Sequence, residues 1–321
     1  MQWSERIGRR IKLRDLHILL AVAQTGSMIR AAQSLAISQP VISKTISDLE
    51  HTLGVCLLDR TARGVEPTDY GRAFINCGTI VFDELRRGVQ AIEFLADPTF
   101  GKLRVGGATP FIDELIPTVI ARLADRYPRI EFHVTESDTP KLCELLRERK
   151  LDLLIGRTSS DLGEDLVSDL LFEDRVYVVA GISNPWSRRG RIKLATLVDE
   201  RWVMPEADNV IWPLIEEAFR AAGLSSSMRV VVSNSMTMRT RLVETGGFLT
   251  ILPGSTLHFG VRRLRMRALP VTLHAEALPA QIITLRNRTP NPIAKLFTDE
   301  LREFSKSLTK ARGRRPRTGA E

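Results

Sequence analysis

The segment Leu13 to Leu53 constrains this chain more than any other. Leu16, Leu19, Leu20 and Ala23 fall at i, i+3, i+4 and i+7, which describes a helix with one face in a core. Thr25-Gly26-Ser27 follows. Gly26 can close that helix as its C′ residue and Ser27 can cap the next. A short helix is predicted from Met28 to about Leu35, with Ala31, Ala32 and Leu35 inward. The alanines matter because two steeply crossing helices must approach closely. Ala36-Ile37 is a brief turn, Ser38 the next N-cap, and Gln39-Pro40 the first turn. Proline is tolerated there, since its missing N–H would have had no partner within the helix. The third helix continues to about Leu53, with Val41, Ile42, Ile46 and Leu49 as its buried face. The pattern is helix, turn, helix.

The other face of the third helix presents Gln39, Ser43, Lys44 and Ser47. Gln can bond adenine edges, Ser reads bases or phosphates, and Lys reaches guanine or phosphate. Short polar side chains at a helix N-terminus suit entry into a major groove. Beyond Gly54, Val55 to Leu58 reads as a strand and residues 59–64 as a polar turn, which together make a wing. Arg60 and Arg63 on it can meet flanking phosphates or the minor groove. With Ser27, Arg30, Ser38 and Pro40 around the turns, these residues form the candidate DNA-binding set. The competing reading is an ordinary helical hairpin with a solvated polar face.

Charge agrees with a polyanionic partner. The 321 residues carry a net charge of +8. Residues 1–64 hold Arg6, Arg9, Arg10, Lys12, Arg14, Arg30, Lys44, Arg60 and Arg63 against Glu5, Asp15, Asp48, Glu50 and Asp59. Residues 65–100 reverse the sign, and further basic clusters lie at Arg262 to Arg267 and Lys310 to Arg317. The first cluster followed by Leu16 to Ala23 imitates a secretory signal peptide. That apolar stretch is at the short limit and contains His17, so the core-helix reading stands and a cytoplasmic (bacterial, nucleoid-associated) location is expected. No run approaches the roughly 18 apolar residues that span a membrane. Cys56, Cys77 and Cys143 fit no metal pattern and read as small buried hydrophobes, so no metal is expected.

From Tyr70 to Leu95 the chain reads as one long helix. Phe74, Gly78, Val81, Leu85, Gly88, Ile92 and Leu95 alternate in steps of four and three, a heptad seam with glycine gaps. Such a stripe needs a partner, and Phe74, Val81, Leu85 and Ile92 are the candidate dimerisation residues. Asp97-Pro98-Thr99 breaks the helix. Beyond it, predicted strands and helices alternate in two series, so an α/β architecture with parallel sheets is expected. Ligands in such sheets sit beyond the carboxyl ends of strands. That rule singles out Thr109, Pro110 and Phe111, then Thr139, Arg157, Asn209, Ser235 and Met236, with Phe248 facing them. Helix N-termini near Phe111 and Thr139 would favour an anionic group, and Arg157 would pair with a carboxylate or form an internal salt bridge. A sugar stacked on Trp212 or Trp202 is the competing ligand. No GxSxG, GxGxxG or P-loop motif is present.

Leu13 to Gly71 resembles the winged helix-turn-helix of LysR-type transcriptional regulators. Gly26-Ser27, Ala31-Ala32, Ser38-Gln39-Pro40, Ser43, Leu49-Glu50, Leu53-Gly54, Leu58, Arg60, Thr61, Gly64, Thr68 and Gly71 carry the resemblance in register. It extends to about residue 308, and looks closest to the branch with regulators of sugar-binding-protein and protocatechuate genes. It implies a winged helix-turn-helix domain over 1–68 and a dimerising linker helix over 69–96. It further implies a two-lobed, periplasmic-binding-protein-like α/β effector domain over 97–308. Lobe I is expected at about 97–180 and 271–308, lobe II at about 181–270, and a basic disordered tail at 309–321. The resemblance points to Thr109, Thr139, Arg157 and Ser235 as effector contacts. The implied partners are double-stranded DNA at a pseudo-palindromic operator, a second copy in a dimer, a tetramer, and RNA polymerase, with no membrane. The implied ligand is a small-molecule effector, an anionic metabolite or a sugar, with no cofactor. A secreted solute-binding protein and a two-lobed enzyme are the alternatives. Neither accounts for Ser38-Gln39-Pro40 followed by a wing and a heptad rod.

Overall fold

The computed structural model describes residues 10–61, 64–158, 161–224, 229–260 and 265–312. The chain divides into two compact units, 1–89 and 90–321.

In the first unit, α1 (Leu13–Thr25), α2 (Met28–Ser34) and α3 (Gln39–Leu53) enclose Ile18, Leu19, Val22, Ala31, Ile42, Ile46 and Leu49. The backbone N–H of Lys12 donates to Asp15, which fixes the start of α1. Gly26, at φ +61°, ends it in the left-handed conformation a side chain resists. Val41, in the first turn of α3, departs from the expected inward face and is exposed. The wing is β1 (Leu58–Thr61) paired antiparallel with β2 (Gly64–Pro67), so its first strand starts three residues later than the predicted Val55. Arg63 lies outside the described residues.

α4 (Asp69–Ala96) follows. Thr68 Oγ1 accepts the Gly71 N–H at 3.0 Å and donates to the Cys56 carbonyl at 2.7 Å. Phe74 and Ile75 pack into the three-helix core, and Gly78 lets α1 approach through Leu16 and Leu20. Phe74 is therefore a core residue of its own unit, which corrects its placement on the seam. Asp83 and Arg87 are buried and form an ion pair at 3.5 Å. Val81 is half-buried, while Leu85 is 48% and Ile92 69% exposed, with Val89 and Leu95 also open.

The second unit holds two five-stranded sheets. The first has the order β4-β3-β5-β12-β6. Its strands are β3 (Phe100–Gly107), β4 (Arg129–Glu136), β5 (Leu153–Gly156), β6 (Leu166–Asp174) and β12 (Leu278–Leu285). They are covered by α5 (Thr109–Ile112), α6 (Leu115–Arg126), α7 (Thr139–Arg147) and α11 (Pro292–Arg312). The second sheet has the order β11-β7-β10-β8-β9. It is built from β7 (Val176–Gly181), β8 (Arg201–Met204), β9 (Arg229–Val232), β10 (Leu249–Pro253) and β11 (Met266–Ala268). Its helices are α8 (Trp212–Ala221), α9 (Met236–Glu244) and α10 (Gly254–Gly260).

Neither sheet is purely parallel. β3 runs parallel to β4 and β5, and β8 to β9 and β10, as expected of βαβ units. β12 is antiparallel to β5 and β6, and β7 to β10 and β11. The antiparallel strands are those entered after the chain changes lobe. The outward crossing lies between Asp174 and Val176, so residues 176–180 belong to lobe II rather than lobe I. β6 carries no clean two-residue alternation, because its pairing with β12 shifts register at Ala280/Gln281. α11 extends through Arg312, four residues into the expected tail, and residues 313–321 lie outside the described residues. Cys56 and Cys77 are exposed, and only Cys143 is buried as expected.

Candidate functional site

Two surfaces concentrate the candidate residues, one in each unit. On the first unit, Ser27 caps α2 and its hydroxyl accepts the Arg30 N–H at 3.4 Å. Arg30 itself is exposed. Ser38 occupies the N-cap position of α3 without a side-chain capping bond, so its exposed hydroxyl remains available. Gln39, Pro40 and Lys44 are exposed and Ser43 is half-buried. Gln39 and Lys44 form no side-chain hydrogen bond or ion pair among the described residues. The first turn of α3 thus offers free donors and acceptors on a rigid core, the requirement for reading base edges. Arg60 lies on β1 opposite Val65.

The wing is tied to the helix-turn-helix at two points. Glu50 Oε1, on α3, accepts the backbone N–H groups of Leu57 at 2.8 Å and Leu58 at 3.2 Å. Val65 N–H donates to the Gly26 carbonyl at 3.0 Å. Gly64 has φ +137°, and a Cβ there would stand 2.6 Å from the Gly26 oxygen. Only glycine permits the hairpin to close on that turn. The sequence marked Glu50 and Gly64 as motif residues but not as the parts that position the wing.

The second surface is a cavity of about 890 Å³ with walls from both lobes. Thr109, Pro110, Thr139, Arg157, Asn209 and Met236 line it, so six of the nine residues predicted to contact an effector are brought together. Phe111, Ser235 and Phe248 are not among its lining residues. Phe111 is fully buried in the first core, with its ring 4.4 Å from the Arg157 guanidinium. Ser235 spends its hydroxyl capping α9, accepting the Met238 N–H at 3.3 Å. Phe248 packs against the cluster around Val179 and Val243. Trp202 is buried edge-on to Phe219, and Trp212 packs on the same core, so neither offers a sugar platform.

Arg157 takes the internal alternative. Its Nη2 donates to Asp174 at 2.7 Å and to Ser255 at 2.6 Å, and both Arg157 and Asp174 are buried. Its charge is therefore matched inside the fold. Thr139 Oγ1 accepts the Arg157 backbone N–H at 3.3 Å, and Thr109 Oγ1 donates to Glu136 at 2.9 Å. Partial desolvation, and secondarily the charge of Glu136, raise the pKa of nearby Asp113. On the lobe II side, Asn209 donates to Asn234 at 3.0 Å, and Asn234 to Asp208 at 3.3 Å.

Arg239 is among the cavity residues that sequence reasoning missed. It is only 2% exposed, and its Nη2 donates to Thr250 Oγ1 at 3.2 Å and the Ile251 carbonyl at 2.7 Å. Its Nε has no hydrogen-bond partner, and no carboxylate among the described residues lies within ion-pair distance. Burial pushes its pKa down to about 10. Its sequence context, a charged residue in a polar helix, reads as solvent-facing. No group of three or more His, Cys, Asp or Glu able to hold a metal occurs among the described residues. No helix among them is long and apolar enough to cross a membrane.

Comparison with known proteins joins these surfaces to a family. Residues 13–72 match the bacterial regulatory helix-turn-helix protein, lysR family, and residues 96–306 match the LysR substrate binding domain. The chain is 27% identical over 298 residues to the HTH-type transcriptional regulator GbpR of Azospirillum brasilense, covering 92% of this chain and 87% of GbpR. It is 25% identical over 303 residues to the HTH-type transcriptional regulator PcaQ of Agrobacterium fabrum, covering 94% and 97%. Among solved structures, a full-length OxyR variant from Pseudomonas aeruginosa shares the fold, with a TM-score of 0.65, 23% identity, and coverage of 91% and 95%. With the second match alone spanning well over half of its length, the chain belongs to the LysR family, whose members are DNA-binding, effector-responsive transcriptional regulators and not enzymes.

Proposed function

We propose that this regulator reads a pseudo-palindromic operator as a dimer, with the first turn of α3 from each copy in successive major grooves. Gln39, Ser43 and Lys44 meet base edges. Ser27, Arg30, Ser38 and Pro40 border the backbone, and Arg60 and Arg63 reach phosphates or the minor groove. The observation that carries this reading is the double tether of the wing, through Glu50 and Gly26, beside an α3 face with free polar side chains. The exposed stripe of α4, through Leu85, Val89, Ile92 and Leu95, is the proposed pairing surface, with Val81 at its margin. Tetramer formation, contact with RNA polymerase and a cytoplasmic location belong to the same proposal, by resemblance to the family.

The effector occupies the cavity between the lobes, against Thr109, Thr139, Asn209 and Met236. Of the two ligand classes open from the sequence, an anionic group finds a buried cation there, whereas a sugar finds no aromatic platform. The ligand acts through its differential affinity for closed and open lobes, and couplings of this kind run to about 1–3 kcal/mol.

A footprint of the purified protein on DNA upstream of its own gene, at fixed salt, tests the reading. A protected pseudo-palindrome whose length changes with one compound from a metabolite panel is expected. Sequence-independent binding with the same affinity for operator and random DNA would contradict groove reading.

A further inference from the structure

We infer that the effector is a small zwitterion whose carboxylate is received by Arg239 and whose amine faces the acidic rim formed by Glu136, Asp161 and Asp208. This rests on the interlobe cavity being the effector site.

Arg239 is the first reason. A buried cation without an opposite charge is costly, and a methionine or leucine would fill the same space without that cost. Arg239 lies in the wall of a cavity that a ligand can enter, and its buried Nε has no partner. It sits on α9, a nine-residue helix whose N-cap is Ser235 and whose first residue, Met236, lines the same cavity. The positive end of that helix and the planar fork of the guanidinium both favour a carboxylate.

The rim is the second reason. Glu136, Asp161 and Asp208 line the cavity, and none lies within ion-pair distance of a cation among the described residues. Among the described residues each accepts only neutral donors, from Thr109, the Gly163 backbone and Asn234 respectively. A dicarboxylate would meet these charges in repulsion. A neutral sugar would leave Arg239 uncompensated, and so would a simple amine. One molecule with both groups satisfies both walls. Because Arg239 belongs to lobe II while Glu136 and Asp161 belong to lobe I, that molecule also binds best when the lobes close.

Titration calorimetry on the purified full-length chain tests this. The probes are the L-amino acids and 4-aminobutyrate, matched against butyrate, butylamine, succinate and glucose. The expected result is that at least one amine-carboxylate binds, and that its analogues lacking either group bind at least about tenfold more weakly. Arg239→Gln should weaken binding by about 10- to 100-fold, with partial recovery in Arg239→Lys and the operator footprint of the ligand-free protein unchanged. Failure of every amine-carboxylate to bind would overturn the proposal. A footprint that responds to succinate or glucose would overturn the zwitterion and leave the effector reading intact. A ligand-free measurement guards against misfolded variants. Arg239→Met removes an uncompensated buried charge but also the donors to Thr250 and the Ile251 carbonyl, so the two effects oppose and Tm should stay within about 5 °C of the parent protein. A fall of more than about 5 °C would assign Arg239 a structural role and overturn the proposal.

Discussion

Glu50→Ala should detach the wing from the recognition helix without unfolding the three-helix core. One carboxylate oxygen of Glu50 accepts two backbone N–H groups, those of Leu57 and Leu58, at 2.8 and 3.2 Å. Both leucines are buried, so water cannot readily replace the lost acceptor. Hydrogen bonds to a charged group contribute about 1.5–3 kcal/mol each, which puts two of them at no more than about 6 kcal/mol. Glu50 is only partly buried and its two bonds share one oxygen, so about 3 kcal/mol is the reasoned figure. That corresponds to about a hundredfold change in a local opening equilibrium. Native-state hydrogen exchange on the full chain is the assay. Protection of the Leu57 and Leu58 amides should fall by about that factor, while amides in the middle of α1 stay protected. Glu50→Gln keeps an acceptor but loses the charge, and should give roughly half the effect in free energy. Operator affinity should fall in parallel, because Arg60 lies on the strand that begins at Leu58. Unchanged protection of the two amides in Glu50→Ala would refute the tether argument outright.

Other outcomes follow from the same structure. Gln39→Ala should reduce discrimination between operator and random DNA by about 1–3 kcal/mol, measured as a ratio of affinities at one salt concentration. An equal loss on both DNAs would make Gln39 a backbone contact. Thr109→Val removes the hydroxyl that bonds Glu136 at the cavity wall, and should abolish the change in footprint with effector while preserving ligand-free operator binding. Normal induction would remove Thr109 from the site. Asp113 is exposed at the surface, and partial desolvation and then Glu136 raise its pKa, so folding favours its protonated form. Its contribution to stability is complete below the unfolded pKa and is lost as pH rises through the folded one. Asp113→Asn should therefore raise Tm at neutral pH and lose that advantage in acid. Parallel Tm-against-pH curves for the two proteins would contradict this.

Much of the first unit was legible because its contacts are local. Gly26, Ser27, the paired alanines and Ser38-Gln39-Pro40 act within one or two turns of where they stand, and caps and helical periodicity record such constraints directly. Val41 failed for the same reason in reverse. Its spacing fits a buried face, but the angle at which α3 leaves its first turn is a property of three helices together. In the second unit, parallel βαβ segments could be read in order, since each strand has a neighbour close in sequence. β12 could be read as a strand that returns to lobe I, but its antiparallel direction could not, because it pairs with β5 and β6 from more than a hundred residues away. The lobe boundary moved to Asp174 for the same cause.

By its residues alone, the chain determined that it has a helix-turn-helix with a wing, a long amphipathic helix, and alternating α/β segments whose strand ends hold the ligand positions. The helical and strand segments follow from periodicity, capping and turn chemistry, which act over a few residues, whereas the ligand positions at the strand ends are an expectation from topology alone. Only the tertiary structure decided which charges are free. Arg157 read as either a ligand cation or half of an internal salt bridge, and Asp174 neutralises it, whereas Arg239, which the sequence did not single out, lies buried in the cavity wall with no carboxylate among the described residues to meet it. Whether a charge is available depends on burial and on partners distant in the chain. Coulomb attraction and desolvation depend on separation in space, and sequence spacing does not encode it.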